Sequence, residues 1–384
     1  MGRNLLLTLV SVVVGLLLIE AVCRLFVTLP APYVNAPDLV VQDERGFWIL
    51  QPGFAGGMDN VVDFRNRTLT VGPDGGRSVP CRRQSGYRHR VFVIGDSQTF
   101  GQGLSDADTW PNLLQCRLNE QGASYEVHNL SVPGTNIDTY VQRLRQALPV
   151  VAPGDRVIVG VTWNDLHTYE PESSVRHAAE SLAAETPSGE KSATLSARPV
   201  MPYRLLRKST WRYDVYRSTG IFVPDFSGAK AFVESMVFAS AAFRIAYPRI
   251  RELVYRYRPA DAFFRKLPDG TFENNFRFLA IMRQAAVRAG ADFAVVLLPN
   301  RLFFDRTYYE TYSQGGAVFD ERDYPGSVAR SYCPRHGMRC VSMFPWLKTD
   351  ERDAYTFAFD GHYNPAGARR VADGVYSELF AKAR

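Results

Sequence analysis

The stretch VFVIGDSQTFGQG, Val91–Gly103, runs four apolar residues straight into Gly-Asp-Ser and then into a glycine-containing loop. Such an apolar run, bounded by a loop, is typical of a strand that is buried on both faces in a parallel sheet. In parallel α/β sheets the reactive groups collect beyond the carboxyl ends of the strands. Ser97 stands at such an end, so it is either a turn residue or a nucleophile held at the rim of a sheet.

Patterns typical of strands and helices alternate after this stretch, up to the end of the chain. Asp108 or Thr109 can cap the first helix and Gly122 can follow its end. The alternation predicts an α/β fold with three layers, α/β/α, around a parallel sheet. The predicted strands are HRVFVIG, YEVHNLSV, DRVIVGVTW, DFAVVLLP and MRCVSM, and the predicted helices are DTWPNLLQCRLNEQG, Ile137–Leu148, Asn274–Arg288 and Pro365–Lys382.

The amino-terminal residues form a long apolar segment. Leu5–Ile19 contains no charged residue, but as a helix it would span only about 23 Å of a hydrocarbon core of about 30 Å. The apolar pattern resumes after it, and Glu20 and Arg24 can pair across one helical turn. The helix can therefore extend to about Leu29, where Pro30 ends it.

This segment predicts a membrane anchor over residues 1–29, and its rival is a cleaved signal peptide. Ala21 and Cys23 make a poor cleavage site, which favours a retained anchor. Arg3 and the terminal amine precede the apolar run, so the amino terminus is predicted to lie inside. We therefore expect a single-pass protein of a bacterial inner (cytoplasmic) membrane with its main domain in the periplasm.

One region precedes the alternation and another interrupts it. Residues 30–88 are rich in Pro, Gly and Asp and predict a linker that contains a β-hairpin built from runs such as NVVDF and RTLTV. The main domain is expected over residues 89–384, with an insertion at about 166–268. The first part of the insertion, up to about Arg198, is predicted to be a loop, and its aromatic and basic second part is predicted to contain helices.

Four cysteines follow Cys23, an even number that fits an oxidising compartment. The segment CPRHGMRC can close as a disulfide between Cys333 and Cys340, and the partners of Cys81 and Cys116 are left open. A metal site at CPRHGMRC lacks a fourth ligand nearby, so no metal is predicted.

The chain carries a net charge of +6, mostly from arginines spread along it. Because no nucleic-acid-binding fingerprint accompanies this charge, nucleic acid is excluded as a partner. The positive charge instead favours a surface that faces anionic lipid or polysaccharide. Protein partners are not predicted.

Five residues in four blocks combine into a constellation suited to acyl transfer. A serine nucleophile needs a base, and the base needs a third group that fixes its tautomer. The developing oxyanion needs hydrogen-bond donors. Ser97, Gly134 and Asn164 each follow a predicted strand, and Asp360 and His362 precede the last predicted helix.

On these blocks the chain resembles the SGNH hydrolase superfamily, also called the GDSL family, from about Arg88 onward. GDSQTFG places the family nucleophile at Ser97, NLSVPGTN places an oxyanion glycine at Gly134, and VTWND places the oxyanion amide at Asn164. DGHYNPAG places the acid and base at Asp360 and His362. The resemblance implies a flavodoxin-like sheet and an oxyanion hole formed by the Ser97 and Gly134 amides and the Asn164 side chain.

The sequence departs from the family pattern at three positions. Gln98 stands where leucine is usual, Thr162 replaces a glycine two residues before the asparagine, and Asp360 lies two residues before His362 instead of three. The Asp-x-His spacing resembles family members that handle polysaccharide acetyl groups, such as the alginate acetylation proteins. Asp353 or Asp350 could substitute for Asp360 as the acid.

The resemblance implies a membrane-anchored serine ester hydrolase that acts on acylated carbohydrate or lipid, without a metal or organic cofactor. The first alternative is an O-acetyltransferase for a cell-envelope or secreted polysaccharide, which would use the same residues. The second is a non-catalytic binding or assembly protein on the same fold. In either enzyme, Asp96 is predicted to be structural and Asp165 to orient the asparagine loop.

Overall fold

The computed structural model describes most of the chain, with gaps that fall mainly in the predicted insertion. The described residues are 2–27, 39–42, 48–60, 62–83, 85–166, 168, 170–183, 198–199, 215, 236, 240–246, 270–313 and 322–381.

The strands and helices alternate along the main part of the chain as the sequence predicts. The strands are β1 Val40–Gln42, β2 Trp48–Leu50, β3 Ala55–Met58, β4 Arg67–Thr70, β5 His89–Gly95, β6 Tyr125–Asn129, β7 Arg156–Thr162, β8 Arg198–Pro199, β9 Asp292–Leu298 and β10 Arg339–Ser342. The helices are α1 Gly2–Phe26, α2 Ser97–Phe100, α3 Trp110–Glu120, α4 Ile137–Ala147, α5 Trp163–Leu166, α6 Glu172–Ala183, α7 Thr271–Arg288, α8 Arg301–Phe304, α9 Arg306–Ser313, α10 Tyr324–Tyr332, α11 Phe344–Leu347 and α12 Pro365–Leu379.

The central sheet has five strands in the order β10-β9-β7-β5-β6, and all its neighbours are parallel. Numbered among themselves, these strands run 2-1-3-4-5 across the sheet, the flavodoxin-like order. The order reverses between β5 and β7, so a crevice opens at the carboxyl ends of these strands. The predicted α/β fold and its parallel sheet are confirmed.

Two apolar cores cover the two faces of this sheet, because successive side chains of a strand point to opposite faces. In β5, Val91 and Val93 belong to one core and Phe92 and Ile94 to the other. The first core includes α3 and α12, and the second includes α4, α6 and α7. The predicted three layers are therefore present.

The segment before β5 forms two small antiparallel sheets. β1 pairs with β2 and with β8, and β3 pairs with β4 as a hairpin. The sequence prediction of a hairpin is confirmed, and RTLTV supplies its second strand. The prediction for NVVDF was wrong, since the first strand is Ala55–Met58. The side-chain oxygen of Asn60 accepts hydrogen bonds from the amides of Asp63 and Phe64. These bonds place NVVDF in the hairpin loop instead of a strand.

The insertion contains a helix where the sequence predicts a loop. Glu172–Ala183 is helical, and Val175, Ala178 and Leu182 are buried against the second core. Its Ser- and Ala-rich composition conceals an apolar stripe at helical spacing. Residues 241–246 are also helical. The rest of the second, aromatic part lies almost wholly outside the described residues.

The amino-terminal segment is helical over Gly2–Phe26, so the helix ends three residues before the predicted Leu29. By length and composition, Leu6–Phe26 could cross a membrane, with a mean hydropathy of 2.6 and none of it buried. Arg24 donates to Glu20 at 2.7 Å, as the spacing predicts. Disulfides join Cys81 to Cys116 and Cys333 to Cys340. The disulfide at CPRHGMRC is confirmed, so its two sulfurs are not free to bind a metal as thiolates.

Candidate active site

Ser97 is the first residue of α2, immediately beyond the carboxyl end of β5. Asp96 caps this short helix, since its carboxylate accepts from the amide of Gln98 at 3.0 Å. The helix lies directly on the strand ends: a Cβ on Gly95 would come within 2.4 Å of Thr99, and one on Gly160 within 2.2 Å. Glycine at both positions therefore lets the serine stand at the rim of the sheet.

His362 brings the base to this serine from the other end of the chain. Its Nε2 lies 2.8 Å from Oγ of Ser97, and its Nδ1 is hydrogen-bonded to Oδ1 of Asp360. The two residues precede α12, which Asn364 caps by accepting from the amide of Gly367. Asp360, His362 and Ser97 form one continuous hydrogen-bonded chain, although Asp360 stands only two residues before the histidine.

The electrostatics of the pair suit proton transfer. Burial lowers the pKa of His362, but the Asp360 and Asp96 carboxylates together raise it more, and the result lies above the ordinary value of 6.5. Burial acts against ionisation of Asp360, yet the imidazole beside it leaves the pKa of Asp360 below its usual value. An ionised Asp360 fixes the Nδ1–H tautomer, so Nε2 is free to accept the serine proton.

Asn164 stands exposed in α5, directly after β7. Its amide nitrogen lies 3.4 Å from a carboxylate oxygen of Asp96, and its amide oxygen lies 2.6 Å from the hydroxyl of Thr162. Asp165 accepts from the amide of Thr162 at 2.8 Å and closes the turn. These contacts orient the amide beside the residue that precedes Ser97, so the second N–H of Asn164 can point to a reacting carbonyl.

Two buried carboxyl groups lie behind the asparagine. Burial raises the pKa of Asp96, and burial together with the neighbouring Asp96 raises the pKa of Asp165 well above its usual value. The hydroxyl of Thr162 lies 3.0 Å from an oxygen of each. Two carboxyl groups that share one hydroxyl disfavour double ionisation, because like charges repel. The predicted structural roles of Asp96 and Asp165 fit these contacts.

Gly134 lies in the loop after β6, at the same edge of the sheet as Ser97. The loop is tied to the nucleophile strand because the amide of Val132 donates to the carbonyl of Gly95 at 3.1 Å. Gly134 has a φ of +76°, a conformation that favours glycine, and it is exposed. The backbone amides of Gly134 and Ser97 remain predicted donors to the oxyanion.

The alternative acids contact other groups. Asp353 lies 3.6 Å from Arg301, and Asp350 lies 3.9 Å from Arg306. Asp360 is the carboxylate that the structure places on His362. Among the described residues, no group of three or more His, Cys, Asp and Glu side chains could hold a metal.

Several residues that support the site were not predicted from the sequence. The amide oxygen of Gln98 accepts from the backbone of Tyr363 at 3.0 Å, which joins the nucleophile helix to the acid–base loop. Gln102 donates to Asp360 at 3.4 Å. Asp63, in the hairpin loop, accepts from the amide of Asp360 at 2.8 Å. No local pattern could reveal these contacts, because each joins segments distant in sequence.

The comparisons with known proteins agree with this site. The profile of the GDSL-like lipase/acylhydrolase family matches residues 93–370. An arylesterase of Vibrio mimicus is 29% identical over 128 residues, which cover 33% of this chain and 63% of that protein. The chain thus spans less than two thirds of the length of this relative.

Solved structures similar to this chain include TesA and a carbohydrate acetylesterase family member from Sinorhizobium meliloti. TesA is 17% identical with a TM-score of 0.36, covering 76% of this chain and 99% of TesA. The Sinorhizobium meliloti protein is 14% identical with a TM-score of 0.33, covering 76% and 96%. The family profile spans most of the chain and every residue of the Ser97–His362 site, so the chain belongs to the GDSL-like lipase/acylhydrolase family.

Proposed function

We propose that this protein is a membrane-anchored, extracytoplasmic serine ester hydrolase that acts on acylated carbohydrate or lipid. The observation that carries the proposal is the hydrogen-bonded chain from Asp360 through His362 to Ser97. Membership of the acylhydrolase family and the likeness to an arylesterase support ester cleavage.

The reaction has two halves. Oγ of Ser97 attacks the acyl carbonyl while Nε2 of His362 takes its proton, and Asp360 stabilises the imidazolium. The amides of Ser97 and Gly134 and the side chain of Asn164 stabilise the oxyanion. The imidazolium then returns the proton to the leaving alcohol. Water, activated by the same imidazole, hydrolyses the acyl-enzyme and releases the acid.

The test compares wild type with Ser97→Ala on a panel of acyl esters, including acetylated glycans. Ser105→Ala is the matched control. Ser105 lies in the loop after α2 and makes no capping hydrogen bond, since the cap of α3 is Thr109. We expect Ser97→Ala to lose ester cleavage and labelling by a fluorophosphonate probe, and the control to keep both. A Ser97→Ala protein that cleaves esters at the wild-type rate would refute the proposal, and an unlabelled, inactive wild type would favour a non-catalytic role.

The same preparation separates hydrolysis from transfer. The enzyme is incubated with an acyl donor ester with and without a glycan acceptor. Release of the free acid alone supports hydrolysis. Net gain of acyl groups by the glycan would replace our proposal with an O-acetyltransferase that uses the same residues, since a sugar hydroxyl can take the place of water in the second half.

The membrane location is proposed from α1. Glu20 of this helix accepts hydrogen bonds from the hydroxyl of Ser240 and the amides of Ala241 and Ala242, at 2.8 to 3.1 Å. It thereby caps the short helix of residues 241–246 in the insertion. A cleaved signal peptide could not keep this contact, so it supports a retained anchor. Amino-terminal sequencing of membrane-bound protein tests this: an intact amino terminus before Leu6 supports the anchor, and a new terminus at or after Ala21 refutes it.

A further inference from the structure

We infer that Asp63, in the loop between β3 and β4, is a positioning residue for the Asp360–His362 loop. This inference rests on the proposed function and extends it to residues outside the family match, which begins at residue 93.

Asp63 binds the backbone of the loop that carries the proposed acid. Its carboxylate accepts from the amide of Asp360 at 2.8 Å and from the amide of Phe359 at 3.2 Å. The loop continues through Gly361, whose φ is +84°. Two hydrogen bonds to a carboxylate therefore hold this irregular backbone just before the histidine, and bonds to charged groups are the stronger ones.

The hairpin holds Asp63 itself in place. Asn60, which is 1% exposed, donates to the Asp63 carboxylate at 3.1 Å and accepts from the Asp63 amide at 2.8 Å. The ring of the next residue, Phe64, lies 4.9 Å from that of Phe357 in the acid–base loop. The buried Asn60 amide and the buried Phe64–Phe357 pair thus hold the backbone and carboxylate of Asp63 in place.

The segment before β5 also contacts the other two loops of the site. Arg77 is buried and donates to the carbonyls of Phe100 and Gly101, both at 2.8 Å, beyond the nucleophile. Trp48 borders the oxyanion loop, because a Cβ on Gly134 would lie 3.8 Å from its ring. One segment therefore reaches the nucleophile, oxyanion and acid–base loops.

Asp63 affects the reaction by holding the Asp360–His362 loop in position. Without Asp63, the amides of Phe359 and Asp360 would exchange a fixed carboxylate for water, and the loop would sample more conformations. The hydrogen bond between Asp360 and His362 depends on that loop. A displacement of about 1 Å at a catalytic group can cost about 10²-fold in rate.

The experiment measures kcat, KM and their pH profiles for Asp63→Ala and Asp63→Asn. We expect Asp63→Ala to lower kcat about 10- to 100-fold with KM nearly unchanged, and Asp63→Asn, which keeps one acceptor oxygen, to lower it less. The acidic limb of kcat/KM should move to lower pH, because a loosened Asp360 supports the imidazolium less. Asp96 and Arg301 also face His362 and are untouched by these variants.

Two comparisons separate positioning from a general loss of stability. Asp59→Asn is the matched control, since Asp59 accepts from the amide of Asn66 within the hairpin, and it should leave kcat and the pH profile unchanged. In an Asp360→Asn background, Asp63→Asn should cost little further activity, because it acts through Asp360. Equal costs in both backgrounds, or an Asp63→Ala enzyme with wild-type kcat and an unmoved acidic limb, would overturn the inference.

An activity-independent measurement distinguishes this inference from the proposed function. The imidazole of His362 is titrated by NMR in wild type, Asp63→Asn and Asp59→Asn. A lower titration midpoint in Asp63→Asn alone supports positioning, even if no tested ester is cleaved. An unchanged midpoint in all three proteins refutes it, even if wild type is an active esterase.

Discussion

Nε2 of His362 lies 2.8 Å from Oγ of Ser97, although the two residues are 265 positions apart in the chain. The contact joins the carboxyl end of β5 to the loop before α12, and the sheet order makes it possible. β5 is next to the point where the strand order reverses, so its loop opens into the crevice of the sheet. The proposed chemistry depends on this one distance.

The pH dependence of activity should report His362. Its pKa is raised above 6.5 in the folded protein, and only the neutral imidazole can accept the serine proton. We therefore expect kcat/KM to fall as pH falls through a midpoint above 6.5. Asp96 also raises the pKa of His362, and burial and Arg301 lower it. Asp360 raises this pKa most, so its charge is tested next.

Asp360→Asn should lower kcat by about 10³- to 10⁴-fold, because the neutral amide no longer fixes the tautomer. It should also move the acidic limb of the pH profile to lower pH. Asp350→Asn is the control, because Asp350 is an exposed carboxylate 3.9 Å from Arg306. It should change neither kcat nor the acidic limb. An acidic limb that stays in place in Asp360→Asn would mean that another group sets it.

Thr162 offers a test of the oxyanion amide that leaves Asn164 intact. Its hydroxyl contacts Asn164, Asp96 and Asp165. Thr162→Val removes the hydroxyl contacts and leaves the Asn164 amide held by Asp96 at 3.4 Å, so we expect kcat to fall about 10- to 100-fold with KM nearly unchanged. Thr162→Ser keeps the hydroxyl and should retain most of the activity. Equal loss in both variants would assign the effect to packing.

Glu170 should make stability depend on pH near neutrality. The residue is 8% exposed and accepts from the side chain of Asn136 at 2.8 Å. Burial, with Asp138 nearby, raises its pKa from 4.5 to about 7. The folded state therefore binds a proton that the unfolded state has lost, and stability should fall as pH rises from 4.5 to about 7.

Glu170→Gln keeps the acceptor for Asn136 and removes the charge. We expect it to raise the free energy of unfolding at pH 8 by about 1 to 2 kcal/mol and to change it little at pH 4.5. Urea unfolding at both pH values measures the difference. Glu172→Gln is the control, since Glu172 is exposed and bonded to Arg277. A variant less stable than wild type at pH 8 would contradict the prediction.

The sequence by itself determined the sheet and the chemical groups at its edge. Apolar runs bounded by glycine and caps specify buried strands and helix ends locally, so β5, β7, β9 and α12 follow from residues next to one another in the chain. The polar residues at the strand ends, including Ser97 and Asn164, follow from the same local patterns.

Only the tertiary structure decided how these groups are held. The contacts from Asp63 to Asp360, from Gln98 to Tyr363 and from Thr162 to Asp96 join distant segments, and no local period encodes them. The helix Glu172–Ala183 was predicted as a loop because its apolar stripe, Val175, Ala178 and Leu182, lies among polar residues; burial of this stripe against the second core stabilises the helix. Local patterns place side chains on elements, whereas hydrogen bonds between elements form only once the whole chain has packed.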